Sequence, residues 1–465
     1  MSAGEFIHGT RVRVAALVFA CFLLGSTGWF SWLNVVMEQT SAVEVDFHTM
    51  VMGYLSQVLG LGLFMAACAR ARDRRLRVFV IVSLVAYVVL LDPATMTQTL
   101  ATTLGFGWAM NVCIGFAQGY YLLCLAGCVE KGRRGTVFGS AYAASTLASW
   151  LISSIGGGIL ASGLACLGVC AVLAAMCIAL VFVMQEPSSN ANTELQAQEE
   201  YSHPEQSERT LPGRILALAC VTIVLVSLVK NAGFSFPAED LSGVVNLELS
   251  RLFYGIGLLV AGIVADRERS YVMILCAVSL VVPFLMLALS GAGASGVIMW
   301  AIGYLLFGFF TVFRILLFAD IAAQDGRLWL SAAGLLFGRI GDVLGTIICL
   351  ALSGSPITLV LVTTVLFAIT AWLLFMLYRR FYVSGIEKSS QTNTLGEFSA
   401  DYGLSVRERE ILPLLVEGKT YAEIADELYV TESTVKFHSR NIREKTGCST
   451  RVEVADLYSK FSGEK

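Results

Sequence analysis

The sequence predicts an all-α protein: a polytopic membrane bundle of about twelve spans in two six-helix repeats, followed by a small soluble four-helix domain. Of its 465 residues, 56 % are hydrophobic and 14 % are charged, and the mean hydropathy is +0.72. Soluble domains usually carry about 25 % charged residues. The apolar character stops near Tyr382. Before that point it is divided into stretches of about 20 residues, the length that crosses a bilayer as a helix.

The predicted spans fall into two groups on either side of a polar segment, residues 185–210, which is too polar to fold alone and is predicted to be a cytoplasmic loop. In the first half, residues 1–184, they are about Val12–Met37, Phe47–Ala69, Leu76–Leu91, Leu100–Val129, Thr136–Ile155 and Ile159–Met184. In the second half, residues 211–382, they are about Leu211–Phe234, Leu241–Ala265, Tyr271–Ser290, Gly296–Ala319, Trp329–Leu352 and Ile357–Tyr382. Because the first stretch is long and further spans follow it, we expect an uncleaved helix and not a signal peptide.

The two halves share a weak internal repeat. Gly60-Leu61-Gly62-Leu63 recurs as Gly255-Ile256-Gly257-Leu258, and Asp73-Arg74 recurs as Asp266-Arg267. Transporters are often built from such duplicated halves.

The run from Gly262 to Arg267 resembles the short loop between the second and third helices of a half in the major facilitator superfamily. The resemblance covers roughly residues 12–382 and implies a transporter-like fold. The corresponding first-half segment, Ala66–Arg77, keeps Asp73-Arg74 but has no glycine before it, which leaves the helix contacts at that loop open.

Basic residues are confined to one set of the predicted loops. On that side lie Arg70, Arg72, Arg74, Arg75, Arg77, Lys131, Arg133, Arg134, Arg267, Arg269, Arg327, Arg379 and Arg380. The opposite loops carry Glu38, Glu44, Asp46, Asp92, Glu239 and Asp240, with Lys230 as the nearest basic residue. Since basic loops stay in the cytoplasm, both termini are predicted to be cytoplasmic.

Neither a metal site nor an enzyme is predicted. The 12 cysteines form no Cys-x-x-Cys pair, and the four histidines are scattered, so the cysteines are interpreted as small buried hydrophobic residues. No nucleophile elbow, zinc spacing or nucleotide motif occurs, and no cofactor is predicted. Gly156-Gly157-Gly158 is interpreted as a site of close helix packing because no Lys-Ser/Thr follows it.

The C-terminal part is predicted to be a flexible linker, residues 383–398, and a folded domain, residues 399–465. Capping boxes at Ser405-x-x-Glu408, Thr420-x-x-Glu423 and Thr450-x-x-Glu453 mark helix starts, and Gly418 and Gly447 mark helix ends. The predicted helices are about Val406–Glu417, Tyr421–Leu428, Glu432–Lys445 and Arg451–Phe461. The predicted core comprises Ile411, Leu412, Leu415, Ile424, Ala425, Leu428, Val435, Ile442, Val454 and Leu457.

The second and third of these helices are separated only by residues 429–431, the short turn of a helix-turn-helix. On the third helix, Lys436, Arg440 and Arg443 recur at helical spacing and form a basic face. Hydroxyl and amide groups at the start of this helix would favour a phosphate, and the residues concerned are Thr431, Ser433 and Thr434. The alternative is a solvated helix face, since the domain carries more acidic than basic residues.

Residues 401–461 closely resemble the LuxR-type DNA-binding domain, in Leu404-Ser405-x-Arg407-Glu408-x-Glu410-Ile411-Leu412, Gly418, Glu423-Ile424-Ala425, Leu428 and Thr434-Val435-Lys436-x-His438-x-x-Asn441-Ile442-x-x-Lys445. The resemblance implies base readout by Lys436, Phe437 and Arg440, with Asn441, Arg443 and Lys445 also on the DNA-binding helix. Phe437 could instead belong to the core, and both interpretations are kept. Two departures are Pro413, expected to kink the first helix, and Thr446 in place of leucine.

The resemblance also implies a homodimer formed through the last helix. That helix carries an apolar stripe formed by Val454, Leu457, Tyr458 and Phe461.

Ionisable residues inside membrane spans are costly and suggest functional sites. Arg314, Arg339 and Asp342 are the candidate ligand-binding residues, and the polar companions are Asn34, Asn111 and Gln118. Because Arg339 and Asp342 are three residues apart, they could equally form a structural pair.

The leading hypothesis is a one-component transcription regulator of a prokaryotic inner (plasma) membrane. Its expected partners are operator DNA, the lipid bilayer and an unknown small-molecule ligand that binds the membrane domain. The alternative is a secondary transporter of the major facilitator type with an appended DNA-binding module. A membrane domain that only anchors the chain is a third possibility.

Overall fold

The computed structural model describes residues 3–70, 73–97, 99–155, 163–184, 213–241, 247–282, 284–285, 294–383 and 395–463. The chain divides into two compact units, Met1–Leu377 and Tyr378–Lys465. All of the regular elements in these ranges are helices, as predicted. The predicted loop 185–210 lies outside the described residues.

Within the described ranges, helices overlap each of the predicted spans, although the helix in the ninth span has only 11 residues. Those of the first half are α1 (Ala3–Gln39), α2 (Ala42–Asp46), α3 (Gly53–Arg70), α4 (Asp73–Met96), α5 (Leu100–Cys128), α6 (Arg134–Ile155) and α7 (Gly163–Val183). A π-helical stretch, Phe47–Met52, joins α2 to α3 within one span, and a 3-10 turn, Lys131–Arg133, precedes α6.

The helices of the second half are α8 (Gly213–Leu241), α9 (Leu247–Arg267), α10 (Arg269–Ser279), α11 (Ala294–Gln324), α12 (Ala333–Leu352) and α13 (Pro356–Tyr378). A 3-10 turn, Leu328–Ala332, precedes α12, and a π-helical stretch, Arg379–Val383, follows α13. Within the described ranges, nine helices are long and apolar enough to cross a membrane.

The helix pairings of the first half recur in the second. Helix α3 packs on α5 as α9 packs on α11, and α1 packs on α6 as α8 packs on α12. Glycines permit this close approach at equivalent places. A Cβ on Gly60 would collide with the carbonyl oxygen of Val112, and one on Gly257 with that of Leu305. The recurrence agrees with the predicted duplication.

Among the described residues, the most extensive helix contacts between the halves are α6 with α9 and α3 with α12. Where α6 meets α9, side chains at Gly135, Gly139 or Gly262 would strike the facing backbone. Asp266 accepts hydrogen bonds of 2.7 Å from the amides of Gly135 and Thr136. A carboxylate at a helix N-terminus satisfies free N–H groups and complements the helix dipole. Asp266, in the loop of the second half that resembles the major facilitator loop, therefore caps α6 of the first half.

A second carboxylate lies beside this contact. Asp320 pairs at 2.8 Å with Arg134 and at 2.8 Å with Arg269. Arg134, almost fully buried, also donates to the carbonyl oxygens of Val129 and Ala126. These ion pairs link α6 and α10 to α11, beside the α6–α9 contact.

The C-terminal unit contains α14 (Val406–Val416), α15 (Tyr421–Glu427), α16 (Glu432–Thr446) and α17 (Arg451–Gly463), each within two residues of its predicted bounds. The capping boxes of Ser405 and Thr420 are formed, and Gly418 and Gly447 have positive φ, as expected. In the third box Glu453 accepts from the amide of Ser449. Helix α14 continues through Pro413, which does not terminate it.

The core of the C-terminal unit differs from the predicted set at four positions. Phe398 and Leu404 are buried in it, whereas Leu428 and Leu457 pack against it only partly buried. Residues 395–401 are helical, although the linker was predicted to run to residue 398. The ring of Phe398 lies 5.2 Å from that of Tyr458 and 5.3 Å from that of Phe461. The folded part thus begins before the predicted boundary because Phe398 fills a space against α17.

Candidate nucleic-acid interface and intramembrane charge cluster

One face of helix α16 packs against the core of the domain, and the opposite face is exposed. Val435, Ser439 and Ile442 are buried at intervals of three to four residues. At its start, the Thr431 hydroxyl accepts from the amide of Thr434 and lies 2.8 Å from the hydroxyls of Ser433 and Thr434. This exposed group of hydroxyls lies at the positive end of the helix dipole, where a phosphate is favoured.

The predicted base-reading residues Lys436, Phe437 and Arg440 all lie on the exposed face. Phe437 is 61 % exposed, so its placement in the core was the wrong alternative. Lys436 pairs with Glu432 at 2.7 Å and Arg440 with Glu444 at 2.8 Å, each one turn away. Exposed pairs of this kind stabilise a helix by about 0.3–0.5 kcal/mol. Bases or phosphates can therefore replace the glutamates at little cost.

The remaining predicted contacts on α16 are engaged within the domain. The guanidinium of Arg443 donates to the carbonyl of Ser449 at 3.0 Å. The ammonium of Lys445 lies 2.6 Å from the Glu408 carboxylate and 2.9 Å from the carbonyl of Gly403. Asn441 is half-buried. Arg443 and Lys445 therefore make contacts within the domain, and their predicted place on the DNA-binding face stays a prediction.

Glu408 is the buried partner that orients α14 against α16. Its side chain is 3 % exposed and also accepts from the backbone amide of Ser405 at 2.7 Å. Burial raises the pKa of this carboxyl, but the hydrogen bonds from Lys445 and Ser405 outweigh it and hold the pKa below its usual value. The ionised pair thus links the first helix to the DNA-binding helix.

The predicted dimerisation stripe on α17 packs largely on its own domain. Val454 is 1 % exposed and belongs to the core, so it cannot contact a second copy and its assignment was wrong. Leu457, Tyr458 and Phe461 are partly buried against the same core. The apolar side chains of this stripe pack on the core of their own domain, which includes Phe398. Phe398 was predicted to lie in the linker.

In the membrane unit, the predicted candidates Arg314, Arg339 and Asp342 come together with Lys230. The Asp342 side chain is 2 % exposed and lies 3.4 Å from Lys230, 3.5 Å from Arg314 and 3.4 Å from Arg339. We call these four residues the charge cluster. Lys230 was not among the predicted candidates, because it lies near the end of a predicted span and was interpreted as adjoining a loop.

Aromatic rings flank the charge cluster. The guanidinium of Arg339 lies 4.1 Å from the ring centre of Tyr54, and that of Arg314 lies 5.0 Å from the ring centre of Phe310. Tyr54 is on α3 of the first half, whereas the charged residues are on α8, α11 and α12 of the second. The charge cluster therefore belongs to the second half, and Tyr54 of the first half packs against it.

The three predicted polar companions lie apart from one another. The Asn111 oxygen accepts from Gln57 at 2.8 Å and its nitrogen donates to the carbonyl of Gly107. Gln118 is buried at 5 % exposure, while Asn34 is exposed on α1. Asn111 is thus explained by packing between α3 and α5.

The known proteins that resemble this chain form two groups, one similar to its C-terminal domain and one similar to its membrane unit. Residues 403–458 match the family described as bacterial regulatory proteins, luxR family. The spore germination protein GerE of Bacillus subtilis is 46 % identical over 57 residues, which are 12 % of this chain and 77 % of GerE. The transcriptional regulatory protein LiaR of the same organism is 50 % identical over 52 residues, 11 % of this chain and only 25 % of LiaR.

The remainder of the chain is similar in fold to a solved transporter. The major facilitator superfamily proton:xylose symporter XylE superposes with a TM-score of 0.57 at 12 % identity, over 81 % of this chain and 96 % of XylE. At this identity the similarity establishes the fold alone. The membrane unit has a major-facilitator fold, and a LuxR-type domain follows it.

We expect Glu408→Gln to destabilise the fragment 395–465 by about 1 to 2 kcal/mol at neutral pH, because it removes an ionic hydrogen-bond acceptor from Lys445. Since the folded pKa lies below the unfolded value of about 4.3, the contribution is complete above that value and is lost as pH falls through the folded pKa. Urea unfolding at pH 7 and at several acid pH values measures both effects.

Glu410→Gln is the matched control, because Glu410 pairs with Arg407 at 2.7 Å on the exposed side of the same helix. It should change stability by less than about 0.5 kcal/mol. Equal losses in the two variants, or the same acid dependence in Glu408→Gln as in the unmodified fragment, would show that the buried pair does not have this role.

Proposed function

Because the chain belongs, through its C-terminal domain, to the luxR family of bacterial regulatory proteins, we propose that it is a membrane-bound one-component transcription regulator. The observation that carries the proposal is an exposed DNA-binding helix in the same chain as a membrane unit of transporter fold. No separate kinase or receiver domain is needed if the membrane unit itself binds the signal. The chain would reside in the inner membrane of a bacterium with both termini in the cytoplasm.

The DNA-binding step follows from the geometry of α16. Its start offers hydroxyls and amides to a phosphate, and Lys436, Phe437 and Arg440 project from the face away from the core. Arginine and lysine at such positions recognise guanine through two acceptors in the major groove. Glu432 and Glu444 would be displaced from their cations on binding, at little cost because exposed pairs of this kind are weak.

Sensing would work through the two membrane halves. A ligand that prefers one arrangement of the halves shifts the population toward it. Among the described residues the main helix contacts between the halves are α6 with α9 and α3 with α12, and the charge cluster of the second half packs against Tyr54 of the first. The DNA-binding domain is proposed to act as a homodimer, with the exposed parts of Leu457, Tyr458 and Phe461 and the 69 % exposed Val452 as the available apolar surface of α17.

The second candidate is a secondary transporter with an appended regulatory domain, and the fold shared with a symporter favours it. Deleting the gene and profiling transcripts, beside uptake assays on the purified chain in vesicles, separates the two. A regulator predicts changed transcripts and no accumulation of solute. Accumulation driven by an ion gradient, with unchanged transcripts, would support transport instead.

We expect Arg440→Ala to weaken binding to the selected operator by about 1 to 3 kcal/mol and to relax the preference at one base pair. The operator is first selected from random DNA with the full chain in detergent. Binding to operator and to scrambled DNA is then measured at one fixed salt concentration, because affinity depends on salt.

Arg407→Ala is the control, since Arg407 is also an exposed arginine paired with a glutamate but lies on α14. It should leave operator binding within about twofold of the unmodified chain. If Arg440→Ala and the unmodified chain bind the operator equally well, the assignment of α16 to the major groove is wrong.

A further inference from the structure

The charge cluster holds more positive than negative charge. Lys230, Arg314 and Arg339 share the single carboxylate of Asp342, at 3.4, 3.5 and 3.4 Å. Charge-assisted hydrogen bonds are usually about 2.7–2.9 Å long, the length seen at Asp320 in this chain. Among the side chains that the structure describes here, Asp342 therefore balances one of three cations and holds none of them closely.

Some donors of the cluster have no acceptor. Arg314 is 7 % exposed, and its Nε and Nη1 atoms, like Nε of Arg339, are buried without a hydrogen bond to any residue that the structure describes. Leaving a buried charged donor without an acceptor costs more than the hydrogen bond would contribute. The unpaired donors of two different arginines thus call for an anion with two oxygens, one for each guanidinium.

The surroundings point to an organic anion. Lys230 lies 5.2 Å from the ring centre of Phe310 and 5.9 Å from that of Phe307, and Arg339 lies over Tyr54. These rings stabilise the cations and also offer apolar surface to a carbon skeleton. The side chains of Lys230 and Arg339 remain 20 % and 18 % exposed, so a small molecule can reach them.

We propose that the charge cluster is the ligand site of the membrane unit and that its ligand is a small organic carboxylate. The ligand carboxylate accepts from the free donors of Arg314 and Arg339, while Asp342 retains Lys230. Because Tyr54 belongs to the first half and the cations to the second, the bound ligand favours one arrangement of the halves. This last step rests on the proposed function, whereas the binding itself does not.

The test uses the full chain in detergent, with thermal unfolding as the readout and benzoate and succinate as probes. Benzamide and succinamide are the uncharged controls, and inorganic phosphate tests for an anion without a carbon skeleton. We expect at least one carboxylate to raise the unfolding temperature with concentration, while its amide and phosphate do not. No shift with either carboxylate, or an equal shift with the amide or phosphate, overturns the proposal.

Arg314→Gln should lower the affinity for the active carboxylate about tenfold or more, the effect of removing one ionic hydrogen-bond partner. It leaves Asp342 with two cations, and Arg314→Lys serves as a second variant that keeps the charge but loses the Nε donor. Arg70→Gln is the control, because Arg70 is exposed and bonds only a backbone carbonyl of its own helix. Unchanged affinity in Arg314→Gln and Arg314→Lys contradicts the assignment.

Operator binding measured in the same samples separates this proposal from the proposed function. If a carboxylate binds at the cluster without changing operator affinity, the ligand site is supported and the proposed sensing is contradicted. If operator DNA binds but no carboxylate raises the unfolding temperature, DNA binding is supported and the ligand site is contradicted.

Discussion

The close contact of α6 with α9 is the constraint on which the membrane unit depends. Hydrocarbon offers no hydrogen-bond partners, so helices in it must satisfy their polar groups among themselves. Glycines let the two backbones meet, and Asp266 then reaches the free amides at the start of α6. A side chain larger than hydrogen at Gly135 or Gly262 would separate the capping carboxylate from these amides. The second pair that joins the halves, α3 with α12, has the Tyr54–Arg339 contact instead.

Local features made much of the fold predictable. Apolar length predicts the spans because crossing hydrocarbon needs about 20 residues. Caps and glycine stops predict α14 to α17 to within two residues, because a capping box satisfies donors that lie within one turn. Phe398 was missed because its burial depends on Tyr458 and Phe461, which are far away in sequence.

The candidate sites were predictable only in part for the same reason. The exposed positions Lys436, Phe437 and Arg440 follow from the helical period, since buried Val435 and Ile442 fix the opposite face. The period cannot show that Lys445 meets Glu408, which lies on another helix. Likewise, Arg314, Arg339 and Asp342 can each be recognised as costly charges within a span. The convergence of both arginines and Lys230 on Asp342 arises from the packing of three helices.

The central claim is that one chain carries a membrane unit and a DNA-binding domain that act together in the intact protein. Cross-linking of DNA to protein in living cells, followed by isolation of membranes and recovery of the chain through a C-terminal tag, tests it most directly. The account predicts that operator DNA is recovered with the full-length chain in the membrane fraction. Recovery of operator DNA only with a soluble fragment that lacks the membrane unit would contradict it.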